Sequence, residues 1–257
     1  MKTLMLFLTL FLASVSGWTQ EKVNIPLIGS DAPSFTAAST NGPINFPGDF
    51  GRTWKILFAH PRDFTPVCSS EILEMAYSQR EFDALNARLL VVSSDPLQTH
   101  YDWKAALEEI PYKDRDPVKI KFPLIEDHDY SIVERYGMVH SEAKRGQNIR
   151  GVFFIDRDNK VRAIVFYPVE VGRHTGEIIR TLKALQQTDD NYNVSTPANW
   201  LPGDPVIINF VTPLIQENMQ QEDSPYFSYS WFLTYRKLTP LKEETVMPEQ
   251  VDNPQSP

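Results

Sequence analysis

Trp54-Lys55-Ile56-Leu57-Phe58-Ala59-His60-Pro61-Arg62-Asp63-Phe64-Thr65-Pro66-Val67-Cys68-Ser69-Ser70-Glu71 reads as a strand, a stop and a helix start in one unbroken stretch. The run from Trp54 to His60 is apolar enough for a strand, and Pro61 ends it. Thr65-Pro66 restarts the chain as a helix N-cap followed by proline at the first helical position. Cys68 then falls in the first helical turn, where unpaired backbone N–H groups and the positive end of the helix dipole favour a thiolate, the nucleophilic form. It is the chain's single cysteine. A lone thiol in that setting reads as a reagent. The competing reading is a small apolar residue in a core, and the Pro-Thr-Pro frame weighs against it.

Outward from this stretch, short apolar runs alternate with amphipathic ones from Ile25 to about Gln187, as in an α/β domain. The pattern predicts helices over Ser69–Leu85, from Pro96 to Leu107, over Tyr130–Tyr136 and over Gly176–Gln187. Further strands are expected at Arg88–Ser93 and Phe122–Ile125, with Arg150–Ile155 and Val161–Tyr167 paired across the turn-rich Asp156-Arg157-Asp158-Asn159-Lys160. The texture changes after Thr188 to prolines, asparagines and aromatics. We divide the chain into a main domain over 25–187, an extension over 188–242 and a mobile polar tail over 243–257. The extension is too small for a comfortable core of its own, so it is expected to pack on the main domain or on a second subunit.

Residues 1–17 give a short basic start, an apolar run and a small-residue end, the pattern of a secretory signal peptide cleaved after Ser16 or Gly17. The run is short for a bilayer crossing, although an uncleaved anchor is the alternative. The expected product is exported and soluble, secreted or periplasmic. Its formal charge of −8, one unit more negative once Lys2 is removed, argues against nucleic acid or anionic membrane as partners. One cysteine closes no internal disulfide, so packing and hydrogen bonds must hold the fold.

Pro61-x-x-x-Thr65-x-x-Cys68 resembles the active-site motif of peroxiredoxins, and His60-Pro-Arg-Asp-Phe-Thr-Pro-Val-Cys68 is similar to the one-cysteine class of this AhpC/TSA-type family that carries a long C-terminal extension. Tyr101-x-Trp103, Phe122-Pro123-Leu124-Ile125, Ile149 to Ile155, Tyr167-Pro168, Val171-Gly172-Arg173 and Tyr235-Arg236 extend the resemblance over about residues 25 to 240. It implies a thioredoxin-like α/β fold, homodimerisation, and reduction of hydrogen peroxide and organic hydroperoxides with neither metal nor cofactor. By resemblance Cys68 attacks the peroxide and Thr65 holds it through its hydroxyl. Pro61 covers the sulfur, and Arg150 lies beside both sulfur and substrate. His60, Glu71 and Arg173 match residues of the surrounding pocket. Each has a plainer reading: Thr65 as an N-cap, Pro61 as a strand end, Arg150 and Arg173 as surface arginines, Glu71 as a helix-start carboxylate and His60 as a strand-end histidine.

A sulfenic acid on Cys68 has no resolving cysteine within the chain, so an external thiol must reduce it through a mixed disulfide. Thiol–disulfide exchange is disfavoured for want of Cys-x-x-Cys. A cysteine hydrolase using His60, His140 or His174 lacks any signature around the cysteine, and a secreted binding or chaperone-like protein without turnover is the non-enzyme alternative. Where some members of the class have a lipase-type Gly-x-Ser-x-Gly, this chain reads Gly51-Arg52-Thr53-Trp54-Lys55, which speaks against that side activity.

Overall fold

The computed structural model describes residues 25–139, 148–189 and 191–238. The signal-peptide expectation, His140 and the expected tail over 243–257 lie outside them.

Two short strands come first, β1 (Phe35–Ala37) and β2 (Ile44–Phe46), paired antiparallel ahead of a 3-10 turn over Gly48–Phe50. There follow β3 (Trp54–Ala59), α1 (Pro66–Tyr77), α2 (Gln79–Ala84), β4 (Ala87–Ser93), α3 (Leu97–Leu107), β5 (Leu124–Glu126), α4 (Ser131–Arg135), β6 (Arg150–Ile155), β7 (Val161–Tyr167) and α5 (Thr175–Asp189). The central sheet runs β5-β4-β3-β6-β7, with β3, β4 and β5 parallel and β6 and β7 antiparallel to their neighbours. This is a thioredoxin-like α/β arrangement.

Because a strand alternates its faces, β3 feeds two cores. Ile56 and Phe58 point with Leu89, Val91, Val152 and Phe154 into a cluster shared by α1, α3 and α5, and this cluster includes Cys68. Leu57 and Ala59 point with Leu90, Val92, Phe153 and Ile155 toward β1, β2 and α4. Cover on both faces is why these strands read as unbroken apolar runs rather than alternating ones. Lys55 is buried at the start of β3. Its Nζ donates to Asn159 Oδ1 (2.6 Å) and the Gly51 carbonyl (2.9 Å), pinning the strand to the β6–β7 turn. Burial pushes its pKa down against the opposing pull of Asp156 and Asp158.

Several expected boundaries shift. The helix expected over Ser69–Leu85 begins at Pro66 and is broken at Ser78 (φ −88, ψ 4) into α1 and α2. The strand expected at Phe122 starts at Leu124, with Phe122 buried as a loop residue. Beyond α5 lie β8 (Val194–Ser195), β9 (Val206–Ile208), α6 (Pro213–Asn218), β10 (Tyr226–Ser230) and β11 (Leu233–Arg236), with the strands ordered β10-β11-β9-β8. Their core is small, Val194, Val206, Ile208 and Ile215. The extension leans on α5, where Arg180 Nη1 donates to the Trp200 carbonyl (3.2 Å).

The short helix α4 is capped from a distance. Tyr130 stands at its N-cap with φ +63, and the Asp127 carboxylate accepts the N–H groups of Ile132 and Val133 (2.9 Å each). Burial outweighs these bonds and raises the Asp127 pKa to about 6. The folded chain therefore holds this proton more tightly than the unfolded one. The group's contribution to stability is complete below its ordinary value of 3.8 and is lost as the pH rises through about 6. A carbon-13 carboxyl titration is expected to place the Asp127 midpoint near that higher value, and a midpoint at the ordinary value would refute the reading.

Candidate active site

β3, the central strand, ends at Ala59; His60 and Pro61 carry the chain off its C-terminal end, and it turns into α1. Thr65 takes the N-cap position in extended conformation (φ −94, ψ 146), Pro66 starts the helix and Cys68 lies in its first turn, fully buried. The Thr65 hydroxyl makes no cap bond to the helix. It donates instead to the Arg62 carbonyl (2.9 Å), which leaves the oxygen's lone pairs as acceptors.

Arg150 arrives from the neighbouring strand. β3 and β6 run antiparallel with Phe58 opposite Val152, so continuing that register sets Arg150 opposite His60, at the mouth of the turn carrying Cys68. Its guanidinium is fixed at every nitrogen. Nε and Nη2 donate to the Val169 carbonyl (2.9 and 2.7 Å), and Nη1 lies 2.8 Å from Glu71 Oε2 and 3.2 Å from Cys68 Sγ. Gly151, next along, has no room for a side chain, since a Cβ would fall 2.6 Å from Met138 Sδ. Its carbonyl accepts from Arg173 Nη1 at 2.9 Å.

Glu71 sits one turn after Cys68 on the same face of α1. Its Oε1 accepts the Arg173 backbone N–H (2.7 Å) and Nε (2.8 Å), and its Oε2 accepts Arg173 Nη2 (2.8 Å) besides Arg150. Arg173 also donates to the Ala59 carbonyl (2.7 Å) and lies over the Phe58 ring at 3.2 Å. Burial pushes the Arg173 pKa down and Glu71 opposes it. Arg150 and Arg173 are thus interior residues rather than the surface arginines of the plainer reading.

His60 is buried with its ring tilted on Trp103, centroids 5.1 Å apart. Its pKa is held well below 6.5 by burial first, then by His100, Arg173 and Arg150, so the ring is neutral. Its Nε2 faces Asp63 Oδ1 at 3.4 Å. His174 is exposed, and its Nδ1 accepts the Glu177 N–H at the start of α5. The hydrogen-bond partner of the sulfur among the described residues is therefore an arginine, not the histidine base that a hydrolase would place there. The Thr53 hydroxyl, at the lipase-like position, donates to the Phe50 carbonyl.

Sequence reasoning did not single out Asp63, His100, Asn148 or the Val169 carbonyl. His100 had a readable signal: with Trp103 and Leu107 it recurs on one face of α3, and all three are buried. Asn148 Nδ2 reaches the His60 carbonyl at 3.4 Å.

The AhpC/TSA family model matches residues 28–164, and that for the C-terminal domain of 1-Cys peroxiredoxin matches 184–210. A peroxiredoxin of Methanosarcina mazei is 43% identical over 218 residues, covering 84% of this chain and 99% of the relative. A 1-Cys peroxiredoxin of Dictyostelium discoideum is 38% identical, with 72% and 74% covered. The solved structure of a yeast mitochondrial 1-Cys peroxiredoxin superposes with a TM-score of 0.69 at 35% identity, over 83% of this chain and all of that one. With a single cysteine set against an arginine on this fold, and with such relatives along most of its length, the chain belongs to the peroxiredoxin family, in the one-cysteine branch with a C-terminal extension, and is a thiol-dependent peroxidase.

Proposed function

We propose that Cys68 is the peroxidatic nucleophile and that Arg150 and Thr65 are the groups that hold and polarise the hydroperoxide. The observation carrying this reading is the 3.2 Å contact from Arg150 Nη1 to Cys68 Sγ, made by a guanidinium whose other nitrogens are already tied down. In the reaction the sulfur lone pair attacks the terminal peroxide oxygen and the O–O bond breaks. Sulfur leaves as S–OH, and the departing oxygen takes a proton to become water or an alcohol. Charge grows on that departing oxygen, where a fixed donor stabilises the transition state more than the ground state. Thr65 accepts a hydrogen bond from the peroxide O–H, because its own hydrogen is committed to Arg62. Pro61, half-buried at the turn, shields the sulfur from water, while Glu71 and Arg173 hold the arginine in place. His60 packs against Trp103, and its pKa is held low, by burial first.

Reduction follows by exchange. An external thiol displaces water from the sulfenic acid, and a second thiol then cleaves the mixed disulfide. The work on the yeast relative names the glutathione and thioredoxin systems, which makes those the first two reductants to try. We also assign a homodimer and export through residues 1–17. Light scattering at micromolar concentration and the N-terminal mass of secreted protein test these; a monomer, or a chain retaining Met1 inside the cell, overturns them.

The reading of the site is tested by mixing reduced protein with one equivalent of peroxide in stopped flow and weighing the product. The expected result is one added oxygen on Cys68, formed far faster than on a free thiol. A rate equal to that of a free thiol sinks the assignment.

A further inference from the structure

A cavity of about 430 Å³ runs along one side of α1, the size of pockets that take small organic ligands rather than hydrogen peroxide alone. Ser70, Glu71, Glu74 and Ser78 form one wall, the segment 172–176 leading into α5 forms the other, and Tyr112 with Lys113 lies beside Glu74. Glu71, Glu74 and Ser78 follow one another at spacings of three and four, which sets them in one row on the helix surface. The next step back along that row reaches Val67 and Cys68, so the cavity points along the helix toward the sulfur. Val67 closes this end, packed so near Gly172 that a Cβ there would lie 3.3 Å from Val67 Cγ1.

The carboxylates lining the cavity, Glu71 and Glu74, are each held by two cations. Glu74 Oε1 accepts from Lys113 Nζ and Arg115 Nη2 (2.9 Å each), and Arg115 is also stacked on the Tyr77 ring at 3.8 Å. Glu71 pairs with Arg150 and Arg173. One positive charge is left over at Glu74. A second is left over at Glu71 once Cys68 is oxidised, because the thiolate that balanced it becomes a neutral sulfenic acid. The cavity is therefore most positive in the state that awaits a reductant, on a chain whose formal charge is −8. The Lys113 side chain is 63% exposed, and an ammonium has three N–H groups to give, of which Glu74 takes one.

We propose that this cavity is the docking site of the external reductant, a small thiol bearing carboxylate groups, held with a carboxylate on Lys113 and its sulfur at the Val67 end. The inference rests on Cys68 forming the sulfenic acid. When the first turn of α1 opens, the docked sulfur forms an S–S bond to Cys68 and the S–O bond breaks. The oxygen leaves as water with the thiol proton, Cys68 being reduced to the disulfide level and the incoming thiol oxidised to it. Uncharged thiols meet the same sulfur without docking.

For the test, the full chain is oxidised with one equivalent of hydrogen peroxide and the added oxygen is confirmed by mass. Loss of the sulfenic acid is then followed by stopped flow with glutathione, which carries two carboxylates and one ammonium, and with uncharged mercaptoethanol. The glutathione rate is expected to saturate with concentration and the mercaptoethanol rate to rise linearly. Lys113→Asn removes the charge at a position held at φ +51, which asparagine tolerates. It is expected to raise the half-saturating glutathione concentration about fivefold, the upper end for an exposed ion pair, and to leave the maximal rate, the mercaptoethanol rate and the peroxide step unchanged. Lys113→Arg is expected to restore the parent's value. A glutathione rate that never saturates, or a half-saturating concentration in Lys113→Asn equal to the parent's, overturns the proposal. So does a Lys113→Asn protein slowed equally with both thiols, since the lysine would then support α1 rather than a ligand. If peroxide adds no oxygen to Cys68, the reading of the site fails and this inference with it.

Discussion

Cys68→Ser is expected to abolish peroxide reduction, and Arg150→Met to slow it by at least about 100-fold, the loss seen when a fixed donor to developing charge is removed. A hydroxyl at position 68 would sit in the same place but stays protonated and is a poor nucleophile toward the O–O bond. No other cysteine exists to take over. Methionine at position 150 keeps length and bulk while removing every donor, so the Val169 carbonyl, Glu71 Oε2 and Cys68 Sγ lose their partner together. Arg150→Lys separates charge from geometry. One ammonium nitrogen cannot bridge the Val169 carbonyl, Glu71 and the sulfur as a planar fork does, so lysine is expected to recover only a minor part of the rate. Stopped-flow traces from folded, reduced protein give all three comparisons. An Arg150→Met protein at the parent rate would show that the contact to sulfur is incidental.

The charge inside this site explains why the reacting form suits its surroundings. Two buried guanidiniums face one carboxylate, Glu71, and an anionic sulfur brings the formal charge of the cluster to zero. The same burial constrains the second half of the cycle. Cys68 is fully covered, so a thiol far larger than a peroxide reaches the sulfenic acid only when the first turn of α1 or the Pro61–Thr65 turn moves. Asp63 ties that turn to Asp95 after β4 and to His100 on α3.

The strand–turn–helix around Cys68 was legible because each step has a local cause: an apolar run buried on both faces, a proline to stop it and a proline to restart it. The β6–β7 hairpin was legible from its turn residues, with Asp156 Oδ1 accepting from the N–H groups of Asp158 and Lys160. The break at Ser78 was not, because Ile72, Met75, Gln79 and Phe82 are all buried and keep a helical spacing across it. Nor were β1 and β2, three residues each, whose exposed Thr36 and Asn45 give no run to read. Arg150 was named through family resemblance. No spacing rule joins it to Cys68, since only the antiparallel register of β3 and β6 carries it to the sulfur. Asp63 and His100 went unnoticed because their pairing is equally non-local, a loop aspartate meeting the inner face of a helix.

Glu71→Gln is expected to destabilise the folded chain by about 3–5 kcal/mol, the cost of breaking a buried ion pair from one side. The carboxylate accepts four hydrogen bonds from two arginines, each of the three residues being almost wholly buried. An amide keeps one accepting oxygen and turns an NH2 group toward guanidinium N–H donors, so bonds are lost, a repulsive contact is added and the two cations are left with the Cys68 sulfur alone as counter-charge within the cluster. For a chain of this size the loss corresponds to a fall in melting temperature of roughly 10 °C. Since Arg150 is held partly by Glu71, the rate with peroxide falls as well. Adding Arg173→Met to Glu71→Gln removes one stranded cation and restores an apolar contact with Phe58, so the double variant is expected to melt above the single one. Denaturant titrations of the parent, Glu71→Gln and the double variant measure this. A Glu71→Gln protein within about 1 kcal/mol of the parent, the scale of one ordinary hydrogen bond, would mean that water or backbone shifts satisfy the arginines without it.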